Sequence, residues 1–150
     1  MSSLLGLRGR INYEGQAAVE LEAIADTRVT CGYQFEIAAD GVIKTETLIR
    51  RAVDDLLNGC AAPEVSAKFH WAVIDLISSV AHSAREERHL NRVVLSGGVF
   101  QNMFLLKGAC QMLRAGGFEV FSHSRVPTND GGISLGQAAV VNARLAAGRI

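Results

Sequence analysis

The apolar and polar positions divide the chain into a mainly helical first part and a second part in which strands alternate with helices. In the first part, apolar residues recur at the spacing of one helix face. This pattern predicts helices over residues 17–25, from Thr45 or Thr47 to about Asn58, and over 63–87. The leucines near the start of the chain are interpreted as the end of one further helix: Leu4, Leu5 and Leu7.

Residues 30–44 have the period-two pattern of a half-buried strand. Apolar side chains at Tyr33, Phe35 and Ile37 alternate with polar ones. Asp40 and Gly41 form a strong turn pair, and an apolar return strand follows them. A β-hairpin is therefore predicted.

From residue 91 onward, a β-loop-α pattern occurs twice. Val93–Leu95 is wholly apolar, which predicts a strand covered on both faces. A helix over 102–115 and a second strand over 118–121 follow. After a polar loop, a last helix over 133–147 is rich in small residues and is expected to pack closely on a sheet. The fold class predicted by this order is α/β.

Composition narrows the class of protein. The chain has 150 residues, 49% of them hydrophobic, which is typical of one globular domain. Fifteen basic residues balance fifteen acidic ones, and this disfavours general nucleic-acid binding. No apolar run approaches the roughly 20 residues of a membrane span, and residues 1–10 lack the pattern of a secretory signal. Three widely spaced cysteines are expected to be reduced, mostly buried thiols in the cytoplasm: Cys31, Cys60 and Cys110.

The loop after the first strand of the second part is one candidate for ligand binding. Gly97 and Gly98 stand between a strand and a helix that begins near Asn102. Glycines let backbone N–H groups approach a ligand, and a helix N-terminus favours negative charge. A phosphate or nucleotide site is one interpretation, and a plain tight turn is the alternative.

Two further loops end at the start of a helix. Asp130 precedes the last helix, where its carboxylate could bind a metal or simply cap the helix. One carboxylate does not make a metal site, so other ligands would have to come from elsewhere. Gly15 precedes the first helix and allows close approach to a ligand, although an ordinary helix start explains it equally.

The histidines form no pair at helical i, i+4 spacing, and structural or surface roles are expected for most of them. His123 follows a predicted strand and is the best candidate for a neighbour of the site. The charged stretch 85–88 is expected to be a solvated helix end. Neither a GxSxG nucleophile motif nor a P-loop motif is present.

Three motifs together resemble the carbamoyltransferase HypF family in order and spacing: YEGQAA at 13–18, LSGGVFQN at 95–102 and PTNDGGISLGQA at 127–138. The intervening AKFH at 67–70, before the long helix, fits the family too. The resemblance covers essentially the whole chain. It implies the C-terminal half of a Kae1-like domain, within the actin/Hsp70/sugar-kinase (ribonuclease H-like) group of α/β folds. Residues 1–150 would form this one portion, without a second domain.

The resemblance also implies an activity. The HypF family uses carbamoyl phosphate and ATP to make carbamoyl adenylate and passes the carbamoyl group to the C-terminal cysteine of HypE, a step in [NiFe] hydrogenase maturation. By position, Asp130 would be a ligand of a divalent metal: iron or zinc, with magnesium as a further option. The implied nucleotide-binding residues are Gly15, Gly97, Gly98 and Asn102, with Glu14 and Glu20 as weaker neighbours.

One departure from the family pattern limits this expectation. Family members supply two further metal ligands from an HxxxH motif, and this chain has none. We therefore expect the chain to need the N-terminal half of the same domain and a HypE-like acceptor as partners, and to be inactive in carbamoyl transfer alone. The alternatives are an O-carbamoyltransferase, a tRNA threonylcarbamoyl transferase, and a non-catalytic nucleotide-binding or interaction fragment with an exposed apolar surface.

Overall fold

The computed structural model describes residues 1–38 and 40–149. Two short 3-10 turns, Gly98–Gln101 and Asp130–Gly132, precede the last two α-helices. The helices and strands of the described residues are α1 (Gln16–Ala23), β1 (Glu36–Ile37), β2 (Ile43–Lys44), α2 (Glu46–Leu57), α3 (Ala62–Arg88), β3 (Arg92–Leu95), α4 (Met103–Ala115), β4 (Glu119–Ser122) and α5 (Ile133–Ala146).

The helical segments predicted from apolar spacing are confirmed to within a few residues. Thr45 stands at the N-cap of α2 but makes no side-chain capping bond. The helix expected at Leu4–Leu7 is wrong: residues 2–6 form turns, with Leu5 N donating to Met1 O at 3.1 Å. Gly6 N donates to Ser3 O and Leu7 N to Ser2 O, so these residues do not make the successive bonds to the carbonyl four residues back that a helix requires.

The predicted hairpin is present but short. Ile37 pairs antiparallel with Ile43, and Glu36 with Lys44. Tyr33 and Phe35 precede the strand, and Tyr33 is buried against α3, where its N–H donates to Lys68 O at 3.3 Å. Ala39 of the predicted hairpin lies outside the described residues.

Helix α3 is the central element, with one apolar cluster at each side. Tyr33, Leu48 and Val65 belong to the cluster with α2, and Leu95, Leu113 and Phe118 to the cluster with α4 and the strands. Where α3 crosses α4, a Cβ on Gly108 would lie 3.2 Å from Cγ1 of the fully buried Ile74. Glycine at this point lets the two helices approach closely.

Strands β3 and β4 are parallel, and Leu95 is level with Ser122 at their carboxyl ends. The loops after the two strands therefore leave from the same edge. In α/β folds this edge is where ligands bind.

Within the described residues, two predictions about which faces of the strands and helices are buried are wrong. Val94 is 67% exposed, so one face of β3 is open rather than covered. Helix α5 has no buried residue, and it does not pack on the sheet as expected. Its larger apolar side chains are exposed: Ile133, Leu135, Val140, Val141 and Leu145.

The predictions of mostly buried cysteines and of a solvated charged end of α3 are only partly confirmed. Cys110 is buried and Cys60 is half-buried, but Cys31 is exposed. Arg85 is not solvated as predicted: its guanidinium lies 3.3 Å from the centre of the Phe118 ring and donates to Gly116 O at 3.0 Å. Arginine combines stacking with hydrogen bonding in this way because its charged group is planar.

Among the described residues, none of the helices combines the length and the hydropathy needed to cross a bilayer.

Candidate nucleotide-binding site

The two glycine-containing loops lie side by side. Gly97 N donates to Thr128 O at 3.0 Å, and the Thr128 hydroxyl donates to Gly97 O at 2.9 Å. A Cβ on Gly98 would lie 3.9 Å from Cβ of Asn129. The structure thus places the Gly97–Gly98 loop beside the loop that carries Asp130, since both loops follow parallel strands at one edge.

Gly97 has a backbone conformation that favours glycine. Its φ is 105° and its ψ is 160°, a region that residues with a Cβ rarely adopt. Gly98 has no such constraint, and a Cβ there would meet only Asn129 within 4 Å. The turn therefore requires glycine at position 97 because of its backbone conformation. At position 98, the absence of a side chain leaves open space beside the backbone.

A cavity of about 250 Å³ lies next to this turn, between α1, α3 and α4. Its walls include Gly15, Gly98 and Asn102, three residues that the sequence motifs singled out. The remaining lining is mostly apolar, with Glu22 and His70 among its polar members: Ala18, Val19, Leu21, Glu22, Phe69, His70, Val73, Val99, Gln101 and Leu105. An apolar cleft with a few converging polar groups is typical of small-molecule sites.

The N-terminus of α4 does not offer the free amides that the sequence led us to expect. Asn102 Oδ1 accepts from Leu105 N at 2.9 Å, which makes Asn102 the N-cap of the helix. Glu22, on α1, accepts from Met103 N at 2.7 Å and from Phe104 N at 3.0 Å through one carboxylate oxygen. A carboxylate of the chain itself therefore occupies the anion-favouring end of the helix.

His70 is a member of the site that sequence reasoning missed. It lies on α3, is 2% exposed and forms part of the cavity wall. Its Nδ1 lies 2.8 Å from Ser66 O, and its Nε2 lies 2.9 Å from Asn102 Nδ2. Burial lowers the pKa of His70, so the ring is held neutral. Residues 67–70 fit the family resemblance, but no site role was assigned to His70, because its position on the apolar face of the helix is equally typical of a core residue.

Asp130 opens the 3-10 turn before α5, and its side chain is exposed. Asp130 does not cap α5, whose N-cap is Gly132 and has no side-chain capping bond; at the start of the 3-10 turn, Asn129 Oδ1 accepts from Gly131 N at 3.1 Å. Asp130 is close to the cavity through the Thr128–Gly97 contact, but it is not one of the residues lining it.

The described residues do not fit a complete metal site. Within 1–38 and 40–149, no group of three His, Cys, Asp or Glu side chains is placed to hold a metal ion. Asp130 would contribute one oxygen ligand, whereas protein metal sites need several. A metal ion bound by Asp130 would therefore need further ligands that the described residues do not supply.

The two weaker candidates do not line the cavity. Glu20 accepts from Arg8 Nε at 2.9 Å and from Gln16 Nε2 at 3.0 Å. The hydrogen bond from Arg8 lowers the pKa of Glu20, which therefore stays ionised as an ion-pair partner. Glu14 is exposed. Gly15, beside it, has a φ of 83° at the start of α1.

His123 lies beside the first loop, as its position after a strand suggested. Its Nε2 is 2.8 Å from the Ser96 hydroxyl, immediately before Gly97. Both side chains are exposed. This contact joins the segments that follow β3 and β4, outside the cavity.

Comparison with known proteins identifies a family for this arrangement. Residues 1–137 match the family described as "Carbamoyltransferase, Kae1-like Domain, second subdomain". Carbamoyltransferase HypF of Synechocystis sp. is 31% identical over 147 residues, and that of Rhizobium leguminosarum is 33% identical over 140 residues. The alignments cover 91% and 92% of this chain, but the chain spans only 18% of the length of each relative.

Solved structures give the same result. A crystal structure of full-length HypF in a phosphate- and nucleotide-bound form matches 96% of this chain with a TM-score of 0.91 and 43% identity. The chain covers 19% of that protein. HypF of T. kodakarensis matches 98% of the chain with a TM-score of 0.74 at 23% identity, which supports the fold alone.

Proposed function

The chain belongs to the carbamoyltransferase HypF family, as a second subdomain of the Kae1-like domain, and we propose that its cavity holds the nucleotide of carbamoyl adenylate. The observation that carries this proposal is the convergence of Gly15, Gly98 and Asn102, from two motifs about 80 residues apart in the sequence, on one cavity. A HypF of similar fold has been solved in a nucleotide-bound form.

Within the proposed complex, the apolar walls of the cavity receive the nucleoside. Leu21, Phe69 and Val73 offer contact to a base or a ribose, and Asn102 offers its side-chain amide. The Glu22 carboxylate at the start of α4 repels phosphate, so the phosphate is expected to lie toward the Gly97–Gly98 turn instead. The nucleotide would then run from the cavity toward the loop of Asp130.

The carbamoyl group would next move to a thiolate of a HypE-like acceptor. The sulfur attacks the carbamoyl carbon, a C–S bond forms, the C–O bond to the phosphate breaks, and AMP leaves with the electron pair. The chain binds and orients the adenylate in this step, and the acceptor supplies the nucleophile. A divalent metal, iron or zinc with magnesium as a further option, would polarise the carbamoyl carbonyl when bound, with Asp130 as one ligand.

The exposed apolar surfaces support a further part of the proposal, namely that the chain works beside another portion of a HypF-type domain. The open face of β3 and the fully exposed α5 expose large apolar side chains. Surfaces of this kind mark interaction sites. The missing metal ligands would come from the N-terminal half of the same domain, so the 150 residues alone are expected to be inactive in transfer. A cytoplasmic location belongs to this proposal and is compatible with three free cysteines.

Calorimetric titration of the purified chain with ADP tests the central claim. We expect wild-type protein to bind ADP and Asn102→Ser to bind it at least several-fold more weakly. Serine keeps a helix cap but lacks the amide, so the two effects are separated. Asn142→Ser on the exposed α5 is the matched control. Absence of ADP binding by folded wild-type protein would refute the nucleotide pocket.

The metal and transfer claims need separate measurements. In a full-length relative, substitution of the aspartate equivalent to Asp130 by alanine should lower both metal content and carbamoyl transfer; unchanged metal loading would count against a ligand role. Carbamoyl transfer by the purified 150-residue chain to a peptide ending in cysteine would contradict the expected need for a second portion.

A further inference from the structure

The buried ring of His70 has one hydrogen-bonding state that fits its surroundings. The oxygen of Ser66, 2.8 Å from Nδ1, is a backbone carbonyl and only accepts hydrogen bonds. Nδ1 must therefore carry the proton. In a neutral ring this leaves Nε2 as an acceptor, and the amide nitrogen of Asn102 donates to it at 2.9 Å.

This bond also fixes the orientation of the Asn102 side chain. Oδ1 accepts from Leu105 N at 2.9 Å, while Nδ2 donates to His70. Rotating the amide by 180° would place its nitrogen against the N–H of Leu105 and its oxygen against the acceptor nitrogen of His70. Both contacts would be lost.

We propose that His70 is a positioning residue for Asn102: it holds the amide in the one orientation that caps α4 and presents a free N–H to the nucleotide. The proposal rests on the proposed nucleotide pocket and adds to it a residue that acts through another side chain. Its support is the chain of contacts from Ser66 to His70 to Asn102, at a residue 2% exposed beside the cavity.

The same helix contains a second histidine that serves as an internal control. His82 Nδ1 lies 2.8 Å from Ser78 O, as His70 Nδ1 does from Ser66 O. His82 packs on Phe118 with a ring-centre distance of 5.0 Å, compared with 5.1 Å between His70 and Phe104. Its Nε2 faces Gly116, however, where a Cβ would lie 3.2 Å away. The serine–histidine arrangement is thus common to both positions, and the bond to Asn102 is specific to His70.

Four variants of the 150-residue chain test the role of His70 in binding: His70→Leu, His70→Gln, Asn102→Ser and the control His82→Leu. After circular dichroism has established that each is folded, ADP affinity is measured by calorimetry. Without His70, ADP binding must also order the Asn102 amide, and immobilising one side chain costs up to roughly tenfold in affinity, which we expect for His70→Leu. Glutamine can accept from Asn102, so His70→Gln should recover most of this loss. His82→Leu should bind ADP as wild type does.

Two results would overturn the positioning role. One is a folded His70→Leu protein with wild-type affinity. The other is a His70→Leu/Asn102→Ser double variant whose affinity falls by the product of the single effects, because residues acting through one bond should not have independent effects.

A measurement without nucleotide separates this proposal from the proposed function. Long-range ¹H–¹⁵N spectra should show His70 with its proton on Nδ1. The Asn102 side-chain amide resonances should shift in His70→Leu, which removes the acceptor, and stay in place in His82→Leu. A proton on Nε2, or an unchanged Asn102 amide in His70→Leu, would refute the positioning role even if ADP binds. If wild-type protein does not bind ADP, the pocket is refuted while these spectra still decide whether His70 fixes Asn102.

Discussion

Thr128 holds Gly97 through two hydrogen bonds, one to its N–H and one to its carbonyl. The Thr128 carbonyl accepts from Gly97 N at 3.0 Å, and the Thr128 hydroxyl donates to Gly97 O at 2.9 Å. The threonine is two residues before Asp130, so these bonds connect the loop of the proposed metal ligand to the turn beside the nucleotide cavity.

Replacing Thr128 by valine keeps the shape of the side chain and removes its hydroxyl. We expect the free energy of unfolding to fall by about 1 kcal/mol, because Gly97 O loses its donor. Hydrogen exchange of the Gly97 amide should become faster as the two loops separate more often. Thr128→Ser retains the hydroxyl and should behave as wild type. Equal exchange in all three proteins would show that the hydroxyl does not connect the loops.

The Glu22 carboxylate should stabilise the start of α4. It accepts from two backbone amides of that helix, and hydrogen bonds to a charged acceptor are stronger than neutral ones. We expect Glu22→Ala to lower the free energy of unfolding by about 1–3 kcal/mol in urea titrations. Glu22→Gln should lose less, since its amide oxygen still accepts. Glu87→Gln, at the exposed end of α3, provides the control for a change of charge alone.

Protonation of His70 should destabilise the fold at mildly acidic pH. Burial lowers the pKa of the folded ring below its ordinary value of 6.5, while the nearby Glu22 carboxylate acts in the opposite direction. The unfolded chain therefore binds more protons than the folded one. Stability that is present above pH 6.5 should be lost as the pH falls from there toward the lowered pKa of the folded state.

Urea unfolding of wild-type and His70→Gln proteins between pH 7.5 and pH 5 measures this effect. The wild-type free energy of unfolding should decrease more steeply over this range, because glutamine does not titrate. Parallel curves for wild type and His70→Gln would show that His70 does not contribute to the pH dependence.

The two adjacent glycines should respond differently to alanine. Gly97→Ala places a side chain at a φ of 105°, and we expect a loss of about 1–3 kcal/mol in the free energy of unfolding. Gly98 has an ordinary φ and open space around it, so Gly98→Ala should leave stability nearly unchanged. Because Gly98 lines the cavity, its substitution should instead weaken ADP binding. A Gly98→Ala protein with normal affinity would place the nucleotide away from this wall.

Local patterns were sufficient for most of the secondary structure. The spacing of Val65, Phe69 and Leu76 predicted the long α3, and the all-apolar Val93–Leu95 predicted β3. The periodicity of apolar residues shows which side chains of a helix or strand lie on the same face. It does not show what covers those side chains, which is why the exposure of Val94 and the unburied α5 were not foreseen.

For the candidate site, the motifs predicted which backbone segments would meet but not how their polar groups would pair. Gly97, Asn102 and Asp130 follow two strands that run parallel, and this order brings them to one edge. Asn102 was a candidate nucleotide-binding residue, and only the structure shows that its side chain also caps α4 and contacts His70. Glu20 was a candidate ligand neighbour, yet it forms an ion pair with Arg8.

The sequence by itself determined the helices, the glycine turns and the family, since each depends on residues that are close in the chain or on motifs with fixed spacing. Only the tertiary structure decided that Glu22 would occupy the start of a helix 81 residues later and that His70 would bond a side chain 32 residues away. Such pairings depend on the crossing of α1, α3 and α4, where close packing leaves each buried polar group one or two partners within reach.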